Sequence, residues 1–388
     1  MLDILKGFRV IEHGTYITGP CASMILGDLG ADVIKVELPG VGDPFRAYNG
    51  ELYSPHYQTF GRNKRSVTLD VRQRDDRQAF DELIGSADVY IQNFRPGFAE
   101  KLGIGPDDLH AINPGLIYCS ISGFGSSGPY RNRPCFDGVA QAMRGFLRLM
   151  VDEEKPRVMG PAIGDTMTGT YAALAIVAAL LKRGADGPGD RLEISMLESM
   201  AYFNIDDFTH YFSAGELMGP RSRPSVSQAH VLRCSDGELI CIHLSAPVKF
   251  WESLVEVIDR PDLLLDPRFR ERTDRTHNAD VLAGILEGIF ARHPREYWVA
   301  RLDDAAVPFS PVYKPAEVAA DPQAQWMDLF VASERPDGSP APTVRFPVTF
   351  GGKRTTSVRR PPLLGEHNAE ILGRPDLAPE TPVIGEMS

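Results

Sequence analysis

The chain of 388 residues is too long for one small core and fits two domains. Its 43% hydrophobic and 24% charged residues exclude a disordered, collagen-like or coiled-coil protein. A formal net charge of −11 argues against nucleic acid or an anionic membrane as a partner, but leaves room for a small anionic ligand in one cleft.

Along the chain, Phe8–Glu12 alternates like a strand and Pro20–Leu29 reads as a helix closed by Gly30. Asp32–Glu37 (DVIKVE) is a β-branched run, so the three make a βαβ unit that requires a parallel sheet. Further strands are expected at Ser66–Leu69, Val89–Gln92, Leu116–Ile121 and Arg191–Met196, with a helix at Asp76–Ile84. Strands alternating with helices predict an open α/β layer. Ala172–Lys182 is apolar almost all round and is expected to be a buried helix. The segment Ser213–Val226, rich in Gly, Pro and Arg, reads as a linker. After it come a strand at Leu239–Leu244 and helices at Phe250–Ile258 and Val281–Phe290. Pro336–Pro342 is a turn region, and the tail 361–372 ends in a short helix.

The five cysteines form no C-x-x-C, so neither a disulfide framework nor a zinc ribbon is suggested. No H-x-x-x-H pair or carboxylate-rich loop points to a metal. The start MLDILKGFRVIEHG lacks a signal-peptide core, and the strongly apolar stretch Ala172–Leu181 is about half of a bilayer crossing. A soluble, cytoplasmic protein is expected. The turn HGTYITGP after the first strand lacks the G-x-G-x-x-G that lets a pyrophosphate approach, so NAD is disfavoured and Glu37 reads as a surface carboxylate at a strand end. A serine nucleophile in G-x-S-x-G is absent; the Gly/Ser-rich 123–130 reads as a flexible loop.

Two features suit anion and acyl chemistry. Positions 61–74 hold Arg62, Lys64, Arg65, Arg72 and Arg74 against Asp70 alone, a local charge of +4. With Asn93-Phe94-Arg95 after a strand, Lys101 behind it, and Arg131 and Arg133 further on, such residues suit a nucleotide phosphate and an adenine ring, or simply a solvated face. Gly164-Asp165 precedes the apolar helix; local sequence favours Asp165 as its N-cap. A carboxylate there is also kept ionised by the helix terminus, which is the form that attacks a carbonyl.

These stretches also carry a resemblance. Residues 5–37, GRNKRSVTLD (61–70), ADVYIQNFRPGFAEKLG (87–103), 123–145, GDTMTGTYAALAIVAALLKR (164–183), 307–322 and PLLGEHN (362–368), in this order, resemble the family III CoA-transferases. That group contains formyl-CoA transferase, carnitine CoA-transferase and the α-methylacyl-CoA racemases. The resemblance implies a large Rossmann-like open parallel-sheet domain from 1–205 and 326–388. A linker and smaller α+β domain from 206–325 and an interlocked homodimer complete it.

It further implies Asp165 as nucleophile, and coenzyme A or acyl-CoA, as substrate, held by Ile17, Thr18, Leu69, Arg72, Asn93, Phe94 and Lys101. Arg133 and Asp137 are expected in a loop flanking the thioester. The implied reaction passes CoA from an acyl-CoA to a free carboxylic acid, expected to be dicarboxylic, through an aspartyl anhydride and an aspartyl-CoA thioester. Phe136 stands where the racemases of this group carry an acid/base histidine, which sets 2-methylacyl-CoA racemase second. A non-catalytic CoA-binding protein is a third reading. The glycine-rich lid of the oxalate-specific enzymes has no counterpart in 242–254.

Overall fold

The computed structural model describes residues 2–50, 53–152, 154–185 and 187–374. The chain divides into two compact units. One is formed by the described residues of Met1–Leu147, Val158–Ile205 and Gln325–Ser388, the other by Arg148–Arg157 and Asp206–Ala324.

The first unit is built on a six-stranded parallel sheet: β1 (Arg9–His13), β2 (Asp32–Glu37), β3 (Lys64–Thr68), β4 (Val89–Gln92), β5 (Ile117–Ser122) and β6 (Asp190–Ser195). Its order is β3-β2-β1-β4-β5-β6, with every pairing parallel. The chain therefore winds outward from β1 to one edge and then from β4 to the other. The expected strands all form, displaced by a residue or two at their ends.

Side-chain alternation splits each strand between two cores. Val10, Val33, Val89, Ile91, Ile117 and Cys119 face α1 (Thr18–Asp28), whose Ala22 and Leu26 lie against them. Their neighbours Ile11, Ile34, Val36, Val67, Tyr90 and Tyr118 face the opposite layer, where α2 (Arg74–Gly85) contributes Phe80, Leu83 and Ile84. Beyond β5 come α3 (Asp137–Met143) and the 21-residue α4 (Ile163–Arg183).

Only one face of α4 is buried, through Gly164, Thr168, Gly169, Ala172, Ala173, Ile176, Ala179 and Leu180. Leu174 and Leu181 are 64% and 85% exposed, so the expectation of burial all round does not hold. The reason is geometric: α4 lies in an outer layer, and at 3.6 residues per turn a helix can set only one stripe against α1 and the sheet.

Gly169 makes that contact possible. A Cβ there would stand 2.7 Å from the Cys21 Cβ and 2.8 Å from the Thr18 carbonyl oxygen on α1. The C-terminal segment covers the β3 edge. Asn368 accepts from the Thr68 N–H at 2.9 Å and donates to Thr68 Oγ1 at 2.9 Å, while His367 Nδ1 accepts from the Ser66 N–H. This explains the PLLGEHN stretch, which satisfies backbone groups that an edge strand otherwise leaves open.

In the second unit, β7 (Ala229–Arg233), β8 (Leu239–His243) and β9 (Phe309–Pro311) form an antiparallel sheet. Helices α5 (Val248–Val257), α6 (Ala279–Phe290) and α7 (Arg295–Asp304) close a core around Trp251, Leu286, Phe290 and Trp298. The segment read as a linker holds a short helix at Ser222–Ser227.

Candidate functional site

In a doubly wound sheet, ligands bind beyond the carboxyl ends of the strands where the winding reverses, here between β1 and β4. Asn93, directly after β4, bridges that crevice. Its Oδ1 accepts from the Thr15 N–H at 3.0 Å, and its Nδ2 donates to the Thr15 carbonyl at 2.8 Å and to Thr18 Oγ1 at 3.0 Å. The loop it holds carries Tyr16 at φ 62, a left-handed conformation that costs a non-glycine residue about 1 kcal/mol. Asp43 helps to fix it by accepting the Tyr16 N–H.

Ile17 and Thr18 begin α1 at this point, both buried. Phe94 lies edge-on to His13, with ring centroids 4.9 Å apart. Burial, then the Lys35 ammonium, hold His13 down at about 4, so it stays a neutral ring.

The start of α4 is built unusually. Ala162 is its N-cap and has no capping side chain; Asp165 is the third helical residue. Thus Asp165 is not the cap that local sequence favours. The cap comes from another element: Asp137 Oδ1, at the start of α3, accepts the Gly164 N–H at 2.7 Å and the Asp165 N–H at 3.3 Å. Gln141, one turn on, donates to the other Asp137 oxygen at 2.6 Å. A Cβ at position 164 would sit 3.0 Å from Asp137 Oδ1, so glycine lets the carboxylate reach the backbone.

With both amides taken by Asp137, the half-buried Asp165 carboxylate accepts no hydrogen bond from any described residue. Burial and then the adjacent Asp137 charge push it up to about 7. Two thiols lie nearby. Cys21 Sγ is 3.8 Å from the Thr166 carbonyl, and burial pushes Cys21 and Cys135 up to about 11, which holds them as unreactive thiols.

Below the β1–α1 loop lies a buried layer of charge. Lys35 donates to Glu12 at 2.6 Å and to the Gly14 carbonyl at 2.8 Å, and pairs with Asp43 at 3.0 Å. Lys64 donates to Glu12 at 2.7 Å and to the Pro20 carbonyl at 2.9 Å. Burial alone raises Glu12, but the two ammonium groups outweigh it and hold the carboxylate below its ordinary range.

Much of the basic run 61–74 is therefore internal. Lys64 belongs to Glu12, Arg62 is buried against Asp28, Arg65 pairs with Asp32, and Arg72 makes a two-pronged contact with Asp70. A local charge of +4 arises because the carboxylates paired with Arg62, Lys64 and Arg65 lie on other strands and helices, whereas the Asp70 partner of Arg72 is within the run. Glu37 is likewise buried rather than a surface group. Arg46 donates to it at 2.8 and 2.6 Å, and against the opposing effect of burial this guanidinium holds it at about 2. The basic residues of this run were legible as charges, but the distant partners of Arg62, Lys64 and Arg65 were not.

The remaining expected residues are spread around the strand ends. The Leu69 side chain is in the core with Phe80 and offers only backbone to a ligand. Lys101 is exposed at the end of a single helical turn, without an ion-pair partner among the described residues. Arg133 is exposed and stacked 4.5 Å over Tyr130. Phe94, Arg95 and Arg131 line a cavity of about 330 Å³ at the ends of β4 and β5. Phe136 joins the Asp137 segment to the β1–α1 loop through an edge contact with Tyr16, 6.3 Å between centroids.

Sequence reading missed Gln141 and the Glu12–Lys35–Lys64–Asp43 layer. Signals for both exist: Asp137 and Gln141 stand four apart on one helix face, and a lysine inside the β-branched run DVIKVE has to be paired.

The profile of CoA-transferase family III matches residues 5–368. Among curated proteins, the chain is 30% identical over 377 residues to a succinyl-CoA–D-citramalate CoA-transferase of Chloroflexus aurantiacus, covering 95% of this chain and 92% of that one. It is also 30% identical to the human succinyl-CoA:glutarate CoA-transferase, covering 95% and 85%. Among solved structures, a CaiB/BaiF family protein from Brucella suis superposes with a TM-score of 0.83 at 32% identity, covering 95% and 98% of the two chains.

Proposed function

The chain belongs to CoA-transferase family III, and we propose that it moves coenzyme A from an acyl-CoA to a free carboxylic acid with Asp165 as the nucleophile. The observation that carries this reading is the Asp165 carboxylate itself: half-buried, free of hydrogen bonds from described residues, and raised to about 7 beside Asp137. Succinyl-CoA and a dicarboxylic acceptor are the first substrates to try, because relatives that match along most of their length are named for succinyl-CoA with D-citramalate or glutarate.

In the first step an Asp165 oxygen attacks the thioester carbonyl carbon. The carbon–sulfur bond breaks, CoA leaves as thiolate, and a mixed anhydride remains. The thiolate then attacks the Asp165 carbonyl of that anhydride, releasing the donor acid and leaving an aspartyl-CoA thioester. The acceptor carboxylate repeats the two steps in reverse and restores Asp165. Atoms and charge balance without any further reactant.

The difficulty in the first step is that a thiolate leaves less readily than a carboxylate, whose ordinary pKa is several units lower. Raising Asp165 toward 7 narrows this gap, making its carboxylate a stronger nucleophile and a poorer leaving group. Holding thiolate and anhydride together can supply roughly 7–11 kcal/mol of the barrier. In this scheme Ile17, Thr18, Asn93, Phe94, Lys101, Arg72 and Arg133 serve CoA, with Asn93 acting through the loop it holds. Phe136, 67% exposed, brings no base to the α-carbon, which supports transfer over racemisation.

The test is exchange between succinyl-CoA and glutarate. Asp165→Asn is expected to abolish exchange by at least about a thousandfold, as for a lost covalent nucleophile, while CoA still binds. Undiminished turnover in that variant contradicts the assignment. Deuterium entering the α-position of a 2-methylacyl-CoA without an acceptor acid points instead to the racemase.

A further inference from the structure

A second site lies at the other end of α1. Leu2 donates its N–H to the Asp28 carbonyl, and Gly30 packs against the Leu2 carbonyl, so the amino-terminal residues sit at the carboxyl end of that helix. Thr18 and Cys21, which contact α4 near Asp165, are at its start. Eleven residues at about 1.5 Å each put roughly 16 Å between the two ends.

At this far end is a solvent-open cavity of about 720 Å³, lined by Asp3, Asp328, Arg345, Lys353 and Thr355 among others. Arg345 directly follows the strand Thr343–Val344, and its backbone N–H donates to the Leu329 carbonyl. Its stem is buried and the residue is 9% exposed, while its guanidinium nitrogens reach the open cavity and make no hydrogen bond or ion pair with any described residue. Asp3 and Asp328 share the cavity but neither pairs with it. Thr355 is 1% exposed, and its hydroxyl is closed off from the cavity and has no hydrogen-bond partner among the described residues. The Lys353 ammonium lines the same space, exposed and unpaired among the described residues.

Arginines and lysines whose stems lie in the body of a fold are as a rule paired with protein groups. Every other arginine and lysine that is nine-tenths buried here has a partner: Lys35, Arg46, Arg62 and Lys64 pair with carboxylates, and Arg275 donates to Gln228 and two carbonyls. Among the described residues Arg345 is the exception, and it opens onto a cavity beside the Lys353 ammonium. We propose that this cavity is a second, non-catalytic anion site that takes a small carboxylate or phosphate. The planar guanidinium supplies a fork for two of its oxygens and Lys353 a mobile charge.

The test is thermal unfolding of the full chain in succinate or inorganic phosphate, each titrated against sodium chloride of equal ionic strength. A ligand bound by the folded state alone raises Tm progressively with its concentration. At least one of the anions is expected to do so in the wild type and in Asp165→Asn, whose catalytic centre is altered. Arg345→Met should weaken this response at least about tenfold in midpoint concentration. Without the anion it should melt close to the wild type, since the guanidinium has no partner among the described residues to lose. Succinate acting alone identifies a carboxylate site and phosphate acting alone a phosphate site.

If neither anion shifts the wild type, or Arg345→Met responds with the same midpoint, the proposal is overturned. A constant deficit of Arg345→Met at every concentration overturns it too, because that marks a purely structural residue. Lys353→Met provides the same reading should Arg345→Met fail to fold: it should weaken the response several-fold, and an unchanged midpoint contradicts the site.

Discussion

At the scale of single residues, the chemistry rests on a division of labour between two aspartates. Asp137 takes the amides at the start of α4 and so leaves Asp165 free of them. Its charge also raises Asp165, after burial, to about 7. Activity through an ionised Asp165 should therefore rise with pH and level off above about 7 in the free enzyme. Asp137→Asn keeps an oxygen for the cap but removes the charge. Its kcat/KM profile should move to lower pH while the protein stays folded; an unmoved profile shows that Asp137 only caps.

Local sequence singled out Asp165 and the family resemblance added Asp137, but neither gave the relation between them. Local sequence favoured Asp165 as the cap because capping is ordinarily local, whereas here the cap arrives from 27 positions upstream, a contact that no local pattern records.

At the scale of elements, the decisive contact is α1 against α4. It sets the first turn of α1 against the second turn of α4, with the Thr18 carbonyl and Cys21 against Gly169. Gly169→Val drives two methyl groups into backbone and should cost about 2 kcal/mol or more of stability, read from the urea midpoint. A loss below about 0.5 kcal/mol would mean that the helices separate without penalty. Strands β2 and β4 were legible to the residue because β-branched runs bounded by turn residues leave little choice. Short elements such as α3 were not, since a helix of two turns carries too few apolar positions to show a period. The exposed face of α4 was missed for another reason: hydropathy reports composition, and only packing decides which side meets the core.

At the scale of the whole molecule, a net charge of −11 and a basic run of +4 both misdescribe the surface until the pairs are drawn. Most of the run's positive charge is spent on Glu12, Asp28 and Asp32 inside the fold, so the dependence of CoA binding on salt should trace to exposed Lys101, Arg131 and Arg133. The same buried pairs set the response to acid. Glu37, held at about 2 against an ordinary 4.5, contributes stability that is present above 4.5 and lost as pH falls toward 2. His13, held at about 4 against 6.5, acts in the same direction between those values, because only the unfolded chain takes up its proton there. Asp165 acts oppositely: its raised value destabilises the fold as pH rises from 3.8 to about 7.

Urea midpoints should therefore fall below pH 4.5, and Glu37→Gln, though less stable at neutral pH, should show a flatter acid limb; an equally steep limb removes Glu37 from the account. The most direct test of the central claim is to trap the covalent state. The enzyme is incubated with succinyl-CoA, treated with hydroxylamine, and the peptides are mapped by mass spectrometry. A hydroxamate on Asp165 that requires the donor and is missing from Asp165→Asn is the predicted result. Full exchange activity with no adduct on Asp165, or with the adduct on another residue, would contradict it.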